Sequence, residues 1–161
     1  MRYTPDERAL VSFVREMDGG AARALRALSP ATTCARIRAA SEAAEHLQPL
    51  VAGHEDEHIA ALFLSYRHHV IAAEVLTKGC PTHTIVDTYQ VARQAMRHEA
   101  RAVVLAHNHP SGDMEPSSDD IATTKKLRKA LLLLGVNLAD HLVFGGAGYT
   151  SMASLGYLGP E

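Results

Sequence analysis

The sequence has little of what marks a secreted or membrane-bound chain. Only two of its 161 residues are cysteines, Cys34 and Cys80, which are too few for a disulfide framework and form no CxxC pair. The amino end lacks the apolar stretch of a signal peptide, and no apolar run is long enough to cross a membrane. These absences favour a cytoplasmic protein without a membrane partner.

The sequence also lacks a basic surplus. Sixteen Lys and Arg residues stand against eighteen Asp and Glu residues, which gives a formal net charge of −2. Nucleic-acid binders usually carry a basic footprint, so direct binding to nucleic acid is not expected. The basic residues that do cluster are interpreted as the solvated face of a helix; they are Lys125, Lys126, Arg128 and Lys129.

What is present is a short apolar run, residues 103–106, that ends in two histidines, His107 and His109. Side chains alternate along a strand, so the two imidazoles point to the same face. The turn formers Pro110 to Gly112 then stop the strand. Asp120 opens a predicted helix, from which its carboxylate can turn back towards the histidines. Two imidazoles and a carboxylate, with a fourth position left for water, are the ligands of a catalytic zinc site.

Each of these residues also has a plainer interpretation. A strand histidine is more often a surface or core residue than a metal ligand. Ser117, with an acidic residue three positions later, is typical of a helix N-cap and its capping box. Capping explains Ser117 and Asp120, but it does not explain two same-face histidines directly before the cap. The metal interpretation is therefore favoured, and the two roles are compatible because a helix start fixes where Asp120 points.

The spacing of these residues resembles a known catalytic motif. His107-x-His109, seven residues, Ser117, two residues and Asp120 is the pattern of the JAMM motif of JAB/MPN-type metalloproteases. The stretch from Ala106 to Asp113 is similar to the RadC branch of that family in particular. The resemblance implies that the two histidines and the aspartate bind Zn²⁺. It also implies that Ser117 is a catalytic residue, whose hydroxyl stabilises charge on a substrate carbonyl oxygen.

The resemblance covers most of the chain. It runs from about Ser41 to the carboxyl end and takes in residues 140–143 and 149–156. It implies an α/β fold, the JAB/MPN-type α-β-α sandwich around a mixed β-sheet. Residues before about Ser41 do not resemble the paired helix-hairpin-helix region of RadC-type proteins. We therefore expect a short N-terminal helical segment over residues 1–40 and the JAB/MPN domain over residues 41–161.

A glutamate at the start of the first strand completes the family's site. Glu57, directly before the run Ile59 to Leu64, stands at that place and is the predicted catalytic general base and acid. Glu74, inside the next apolar run from Val70 to Leu76, is the competing candidate. Glu57 is preferred because its surroundings match the family better.

A second metal motif has to be weighed against the first. Residues 54–58 read H-E-x-x-H, the zincin signature, which works only when His54 and His58 share one face of a helix. Here Gly53 precedes the motif and a strand-like run follows at once. A strand would pull the two histidines apart, so the match is interpreted as accidental.

The remaining pattern predicts alternating helices and strands. The predicted helices cover residues 5–17, 21–28, 33–50, 87–99 and 119–134, and strands cover residues 59–64, 70–76, 137–144 and 149–152 besides the histidine strand. On the fourth helix Tyr89 is expected to face inward, and Gly135 is expected to end the fifth. His141 is expected to be a packed or hydrogen-bonded histidine. This order supports a mixed sheet with helices on its faces.

The resemblance implies a zinc metalloprotease that cleaves a peptide bond or an isopeptide bond to lysine, with a protein or peptide as its partner. A RadC-like role in DNA repair or recombination, without duplex binding of its own, is the alternative. A zinc nucleobase deaminase is discounted because its H-x-E and P-C-x-x-C signatures are missing. A non-catalytic scaffold is disfavoured because all three ligands are present. The sequence leaves a homo-oligomer open.

Overall fold

The computed structural model describes residues 35–78, 86–146 and 148–159. Its elements, in chain order, are α1 (Ala40–Val51), β1 (His58–Leu64), β2 (Val70–Lys78), α2 (Thr88–Arg97), β3 (Ala102–Asn108), α3 (Ser118–Leu133), β4 (Asn137–Gly145) and β5 (Gly148–Ser151). The helices predicted over 5–17 and 21–28 lie outside the described residues, as do Cys34 and Cys80. In the described part of the chain, no helix combines the length and apolarity needed to cross a membrane.

The five strands form one mixed sheet in the order β2-β1-β3-β4-β5. β1 pairs antiparallel with both β2 and β3, and the first two strands form a hairpin. β4 runs parallel to β3 and antiparallel to β5. A parallel pair needs a long crossover connection, and α3 provides it. The strand that carries His107 therefore lies at the centre of the sheet.

Helices cover both faces of this sheet, which gives the expected α-β-α sandwich. On one face α1 packs against the strands, with Leu47 and Leu62 in a common buried cluster. On the other face α2 and α3 do so, and Leu131 shares a cluster with Leu105. All four leucines are fully buried, so truncating any one to Ala should cost about 2–5 kcal/mol. Strands covered on both sides are apolar throughout, which explains the unbroken run before His107.

Helix α1 begins later than the sequence pattern predicts. The expected start was Thr33, but residues 35–39 lie outside the helix and form a bridge between Arg36 and His69. The helix starts only at Ala40. Backbone pairing beside the β1–β2 turn outweighs the helix propensity of this Ala- and Arg-rich stretch, because propensity is a weak preference that tertiary contacts override.

On helix α2 the expectation that Tyr89 faces inward is wrong. Its buried stripe consists of Val91, Ala92 and Ala95, and Asp87 caps it by accepting a hydrogen bond from the Tyr89 backbone N–H at 2.9 Å. Tyr89 itself, predicted to face inward, is 45% exposed. At 3.6 residues per turn Tyr89 lies about 120° around the helix from Ala95, the middle of the buried stripe, so its side chain is not part of that stripe.

Helix α3 ends as predicted. Gly135 adopts a φ of +69°, the left-handed conformation that favours glycine just past a helix. Its N–H donates to the Leu132 carbonyl and that of Val136 donates to the Leu131 carbonyl, both at 3.0 Å. These two bonds satisfy carbonyl groups that the helix leaves open, and they direct the chain into β4.

Candidate metal centre

The end of β3 presents both histidines to one face of the sheet. His107 is the second-last residue of β3 and is buried. His109 follows the strand, yet its N–H still donates to the Phe144 carbonyl of β4 at 2.8 Å. The extended alternation therefore continues through His109, and the two imidazole rings lie with centroids 4.8 Å apart.

Asp120 joins them from the first turn of α3. Ser117 is the N-cap: its hydroxyl oxygen accepts from the Asp120 N–H at 3.1 Å, and the Asp120 carboxylate accepts from the Ser117 N–H at 2.8 Å. This capping box holds the carboxylate with Oδ1 3.3 Å from His107 Nε2 and Oδ2 3.3 Å from His109 Nε2. The capping and site interpretations of Asp120 therefore both apply.

The three side chains form a compact cluster. The two Nε2 atoms are 3.0 Å apart, and one ligand atom from each residue lies within 4.8 Å of the others. Ligands of a tetrahedral zinc ion, each ~2.1 Å from the metal, lie roughly 3.4 Å from one another. The cluster therefore has the size and the donor atoms of a metal site. Within the described ranges it is the only such group of three or more His, Cys, Asp or Glu residues.

The partners of His109 determine which of its nitrogens faces the cluster unprotonated. Nδ1 lies 3.0 Å from the Asp113 carbonyl oxygen. A carbonyl oxygen can only accept a hydrogen bond, so Nδ1 carries the hydrogen of the neutral ring. The lone pair of Nε2 is then directed at Asp120 and His107.

A buried chain of hydrogen bonds does the same for His107. His107 Nδ1 lies 2.8 Å from His141 Nε2, and His141 Nδ1 lies 2.6 Å from Thr124 Oγ1. The Thr124 hydroxyl donates to the Met152 sulfur at 3.6 Å, and a thioether can only accept. Thr124 therefore accepts from His141, and His141 accepts from His107. Two imidazole lone pairs and a carboxylate thus converge, an arrangement that repels itself unless a cation binds between them.

His141 reaches this position through an irregularity in β4. The pairing of β3 with β4 shifts between Val103 and Val104, and the extra residue is Ala139. One extra residue reverses the faces of a strand, so His141 points to the same side as His107. The expectation of a hydrogen-bonded core histidine is confirmed. Burial holds the pKa of His141 well below its usual value, and a proton on His107 would lower it further, so the His141 ring stays neutral.

The carboxylate of Asp120 stays ionised. Burial raises the pKa of Asp120, but the hydrogen bond and the charge that a proton on His107 would supply, together with the hydrogen bonds from Ser117, outweigh it. The pKa of this carboxyl group therefore lies well below its usual range. An ionised carboxylate is the form that binds a cation.

A cleft of about 530 Å³ adjoins the cluster. Its lining brings together the predicted metal ligand His109 and the two predicted catalytic residues, Glu57 and Ser117; the rest is Pro110, Ser111, Asp113, Glu115 and Pro116. In this structure the Ser117 hydroxyl donates to Asp120 Oδ2 at 2.7 Å. A substrate in the cleft would therefore meet Glu57 and Ser117 beside the metal cluster.

Glu74 lies elsewhere. It pairs with Ala61 in the sheet, whereas His107 pairs with Ile59, so two strand spacings and two residues separate it from the cluster, roughly 12 Å between backbones. Its Oε1 lies 2.7 Å from His98 Nε2 of the α2 end, and it does not line the cleft. Of the two candidate glutamates, the cleft beside the cluster is therefore lined by Glu57 and not by Glu74.

The H-E-x-x-H motif forms no zincin helix. Residues 54–57 connect α1 to β1 without helical structure, and His58 is the first residue of β1. The rings of His54 and His58 stack on each other with centroids 3.8 Å apart. The interpretation of this match as accidental agrees with that geometry.

Comparison with known proteins finds a matching family model and several curated relatives. The family model described as RadC-like JAB domain matches residues 37–157. The UPF0758 protein of Janthinobacterium sp. (strain Marseille) is 43% identical over 114 residues, covering 71% of this chain and 51% of the relative. That of Alcanivorax borkumensis is 49% identical over 100 residues, covering 62% and 45%. A UPF0758 protein of Staphylococcus aureus (strain bovine RF122 / ET3-1) is 35% identical over 122 residues, covering 76% and 54%. The chain thus spans about half the length of these curated relatives.

Proposed function

Because the chain belongs to the RadC-like JAB domain family, we propose that it is a zinc-dependent hydrolase of amide bonds. The bond that it cleaves is either a peptide bond or an isopeptide bond to a lysine side chain. The observation that carries the proposal is the convergence of two imidazole lone pairs and an ionised carboxylate beside an open cleft. Such a centre binds a cation at the point where a substrate carbonyl can reach it.

His107, His109 and Asp120 are the residues that would hold the ion. We propose Zn²⁺ because two neutral imidazoles and one carboxylate, with an open fourth position, form a common catalytic zinc set. When bound, zinc lowers the pKa of a coordinated water to about 7 and polarises a carbonyl oxygen. The hydrogen bonds to His141 and Asp113 keep both imidazoles in the tautomer that binding requires.

Glu57 would move the proton. Its half-buried side chain lines the cleft beside His109, where a carboxylate can take a proton from the attacking water and pass it to the leaving amine. Such general acid-base help is commonly worth roughly 10²–10⁴-fold in rate. The role needs no covalent intermediate on the protein.

Ser117 would donate to the carbonyl oxygen as negative charge develops on it. Its hydroxyl hydrogen bonds to Asp120, which also accepts from the Ser117 N–H. Rotation about the Ser117 side chain frees the hydroxyl for the substrate, while the N–H keeps Asp120 in place. A donor aimed at the developing charge stabilises the transition state.

The charge of the cleft indicates the kind of substrate. Three of its lining residues, Glu57, Asp113 and Glu115, carry carboxyl groups, and no Lys or Arg belongs to the lining among the described residues. Opposite charges attract across a half-solvated cleft, so basic residues near the scissile bond are favoured. A lysine-rich peptide, or an isopeptide flanked by lysines, fits this charge.

The test is hydrolysis by the full chain loaded with zinc. Two synthetic mixtures, one of peptides and one of lysine-linked isopeptides, each with basic and acidic members, are incubated with it and analysed by mass spectrometry. We expect cleavage that favours basic members and disappears in His107→Ala, His109→Ala. Cleavage that survives this double variant, or no cleavage of any member at stoichiometric protein, would contradict the proposal.

A further inference from the structure

We infer that Asn108 is a positioning residue that fixes Glu57 over the metal cluster. The inference rests on the proposed function, because it concerns the general base of the same site. The JAMM pattern consists of the metal ligands, a serine and a glutamate, and it assigns no role to Asn108. One strand end would then supply both histidine ligands and also set the place of the base relative to them.

The side chain of Asn108 binds the loop that carries Glu57. Asn108 lies between the two histidines, so it points to the opposite face of the sheet, and it is 4% exposed. Its Oδ1 accepts from the His58 backbone N–H at 2.6 Å. Its Nδ2 donates to the carbonyl oxygens of Asp56 at 3.1 Å and of His54 at 3.3 Å. Three backbone groups on both sides of Glu57 are thus held by one amide.

These side-chain hydrogen bonds replace backbone pairing at the point where the pairing of β1 with β3 ends. The last pair between β1 and β3 is Ile59 with His107, and the next positions along are His58 and Asn108. Backbone pairing stops there, so the N–H of His58 needs another partner, and the amide of Asn108 provides it. The chain before His58 can therefore leave the plane of the sheet and still be anchored to β3.

An asparagine is well suited to this role. Its amide offers one strong acceptor and two donor hydrogens, and the loop presents one N–H and two carbonyl oxygens. Aspartate has the size and the acceptor but lacks the donors, and alanine lacks both. Because Asn108 is buried, water has little access to replace the lost bonds.

By holding this loop, Asn108 sets the distance between the proposed base, Glu57, and the metal ligands on β3. Glu57 lies outside any strand or helix, so the contacts of its loop, those with Asn108 among them, set the place of its backbone. A misplacement of about 1 Å at a reacting group can cost roughly 10²-fold in rate. Loss of the Asn108 amide should therefore weaken the action of Glu57 while leaving His107 and His109 on β3.

The experiment compares Asn108→Ala, Asn108→Asp, Glu57→Gln and the double variant Glu57→Gln, Asn108→Ala in the full chain. Ser151→Ala is the matched control, because it removes a buried side-chain hydrogen bond, to Asp140, that does not involve the loop. Each protein is examined for bound zinc, for backbone hydrogen exchange over residues 54–58, and for turnover of a peptide cleaved by the unaltered chain. The visible spectrum of the cobalt(II)-loaded form against pH adds a readout that needs no substrate.

We expect both Asn108 variants to keep one metal ion and to lose exchange protection at His58. Turnover should fall about 10–100-fold with little change in KM. In the Glu57→Gln background, Asn108→Ala should change turnover less than about 2-fold, because residues that act through one group are not additive. The pH response of the cobalt spectrum should change in the same direction in Asn108→Ala and Glu57→Gln, and should not change in Ser151→Ala.

Two different failures can be told apart. If Glu57→Gln alters the spectrum and turnover but Asn108→Ala alters neither, or if Asn108→Ala lowers turnover equally in both backgrounds, the role of Asn108 is wrong. If Glu57→Gln alters neither property, the general base of the proposed function is wrong. Unchanged exchange at residues 54–58 in Asn108→Ala overturns the inference whether or not any peptide is cleaved.

Discussion

His107 and His141 lie side by side on one face of the sheet, on the neighbouring strands β3 and β4, with Nδ1 of the first 2.8 Å from Nε2 of the second. His141 is fully buried, and its other nitrogen lies 2.6 Å from the Thr124 hydroxyl. A metal-binding imidazole whose second nitrogen is hydrogen-bonded keeps its orientation and its tautomer. The buried chain that ends at Met152 therefore supports the candidate metal centre, although none of its members belongs to the cleft lining.

Breaking this chain at Thr124 should weaken metal binding. Thr124→Val keeps the shape of the side chain but leaves the Nδ1 hydrogen of His141 without its acceptor. We expect a loss of about 1–3 kcal/mol in unfolding free energy and an about 10–100-fold weaker zinc affinity. Urea denaturation and competition with a chelating dye measure the two effects. Thr123→Val, a half-buried position on the same helix, is the control and should change neither by much. Unchanged zinc affinity in Thr124→Val would refute the tautomer argument.

Metal content should follow the cluster and not the zincin-like motif. We expect one zinc ion per chain in purified protein, retained in His54→Ala, His58→Ala and lost in His107→Ala, His109→Ala. The reason is that only the second pair converges with a carboxylate in the described residues. Elemental analysis of the three proteins decides the question. Zinc retained by the second variant and lost by the first would move the site to residues 54–58.

Much of the metal centre could be predicted because it is local in sequence. His107 and His109 are two residues apart on one strand, and the capping box of Ser117 and Asp120 lies within one helical turn. Strand alternation and helix capping are short-range rules, so spacing alone indicates the geometry. The succession of strands and helices along the chain was likewise predictable from alternating apolar runs and turn residues.

The residues that support the centre could not be predicted in the same way. His141 reaches His107 only because Ala139 is an extra residue in β4, and no sequence rule signals that shift. Thr124 and Asn108 have partners 17 to 54 residues away, which only the folded chain brings together. The late start of α1 has the same cause, since a tertiary contact outweighs local helix propensity.

Replacing the two candidate bases should separate them. Glu57→Gln should keep zinc bound and lower amide hydrolysis roughly 10²–10⁴-fold, because the carboxylate that moves the proton is gone. Glu74→Gln should cost little activity, since it only weakens a hydrogen bond to His98 away from the cleft. Initial rates on the same peptide, with metal content measured in parallel, make the comparison. Full activity in Glu57→Gln together with loss of activity in Glu74→Gln would reverse the assignment.

Binding of this chain to duplex DNA should be weak. The net charge is −2, and the exposed lysines of α3, Lys125, Lys126 and Lys129, are too few to neutralise many phosphates. At physiological salt, typical non-specific binders have a Kd of ~10⁻⁴–10⁻⁶ M, and we expect this chain to bind a short duplex more weakly, with a larger Kd. Fluorescence anisotropy over a range of salt concentrations measures it. Tight binding with a steep salt dependence would instead support a direct role in repair or recombination.

A methyl group added at Gly145 should disturb the candidate metal centre through the turn that follows His109. Gly145 ends β4 under the turn that follows His109, where a Cβ would overlap the Asp113 carbonyl oxygen and lie 2.7 Å from that of Gly112. The Asp113 carbonyl is the group that accepts from His109 Nδ1 at 3.0 Å. Moving it to make room should therefore turn the His109 ring away from the other two ligands.

We expect Gly145→Ala to lose about 1–3 kcal/mol of unfolding free energy through overpacking. Its zinc affinity should also fall about 10–100-fold, because the partner that orients a ligand has moved. Gly159→Ala is the matched control: its Cβ would approach nothing closer than the Gly156 carbonyl oxygen at 3.4 Å. Denaturant unfolding of the metal-free proteins isolates the packing effect, and chelator competition isolates the ligand effect. If Gly145→Ala is destabilised but binds zinc as tightly as Gly159→Ala, the turn adapts without moving His109, and the Asp113 carbonyl is not what orients this ligand.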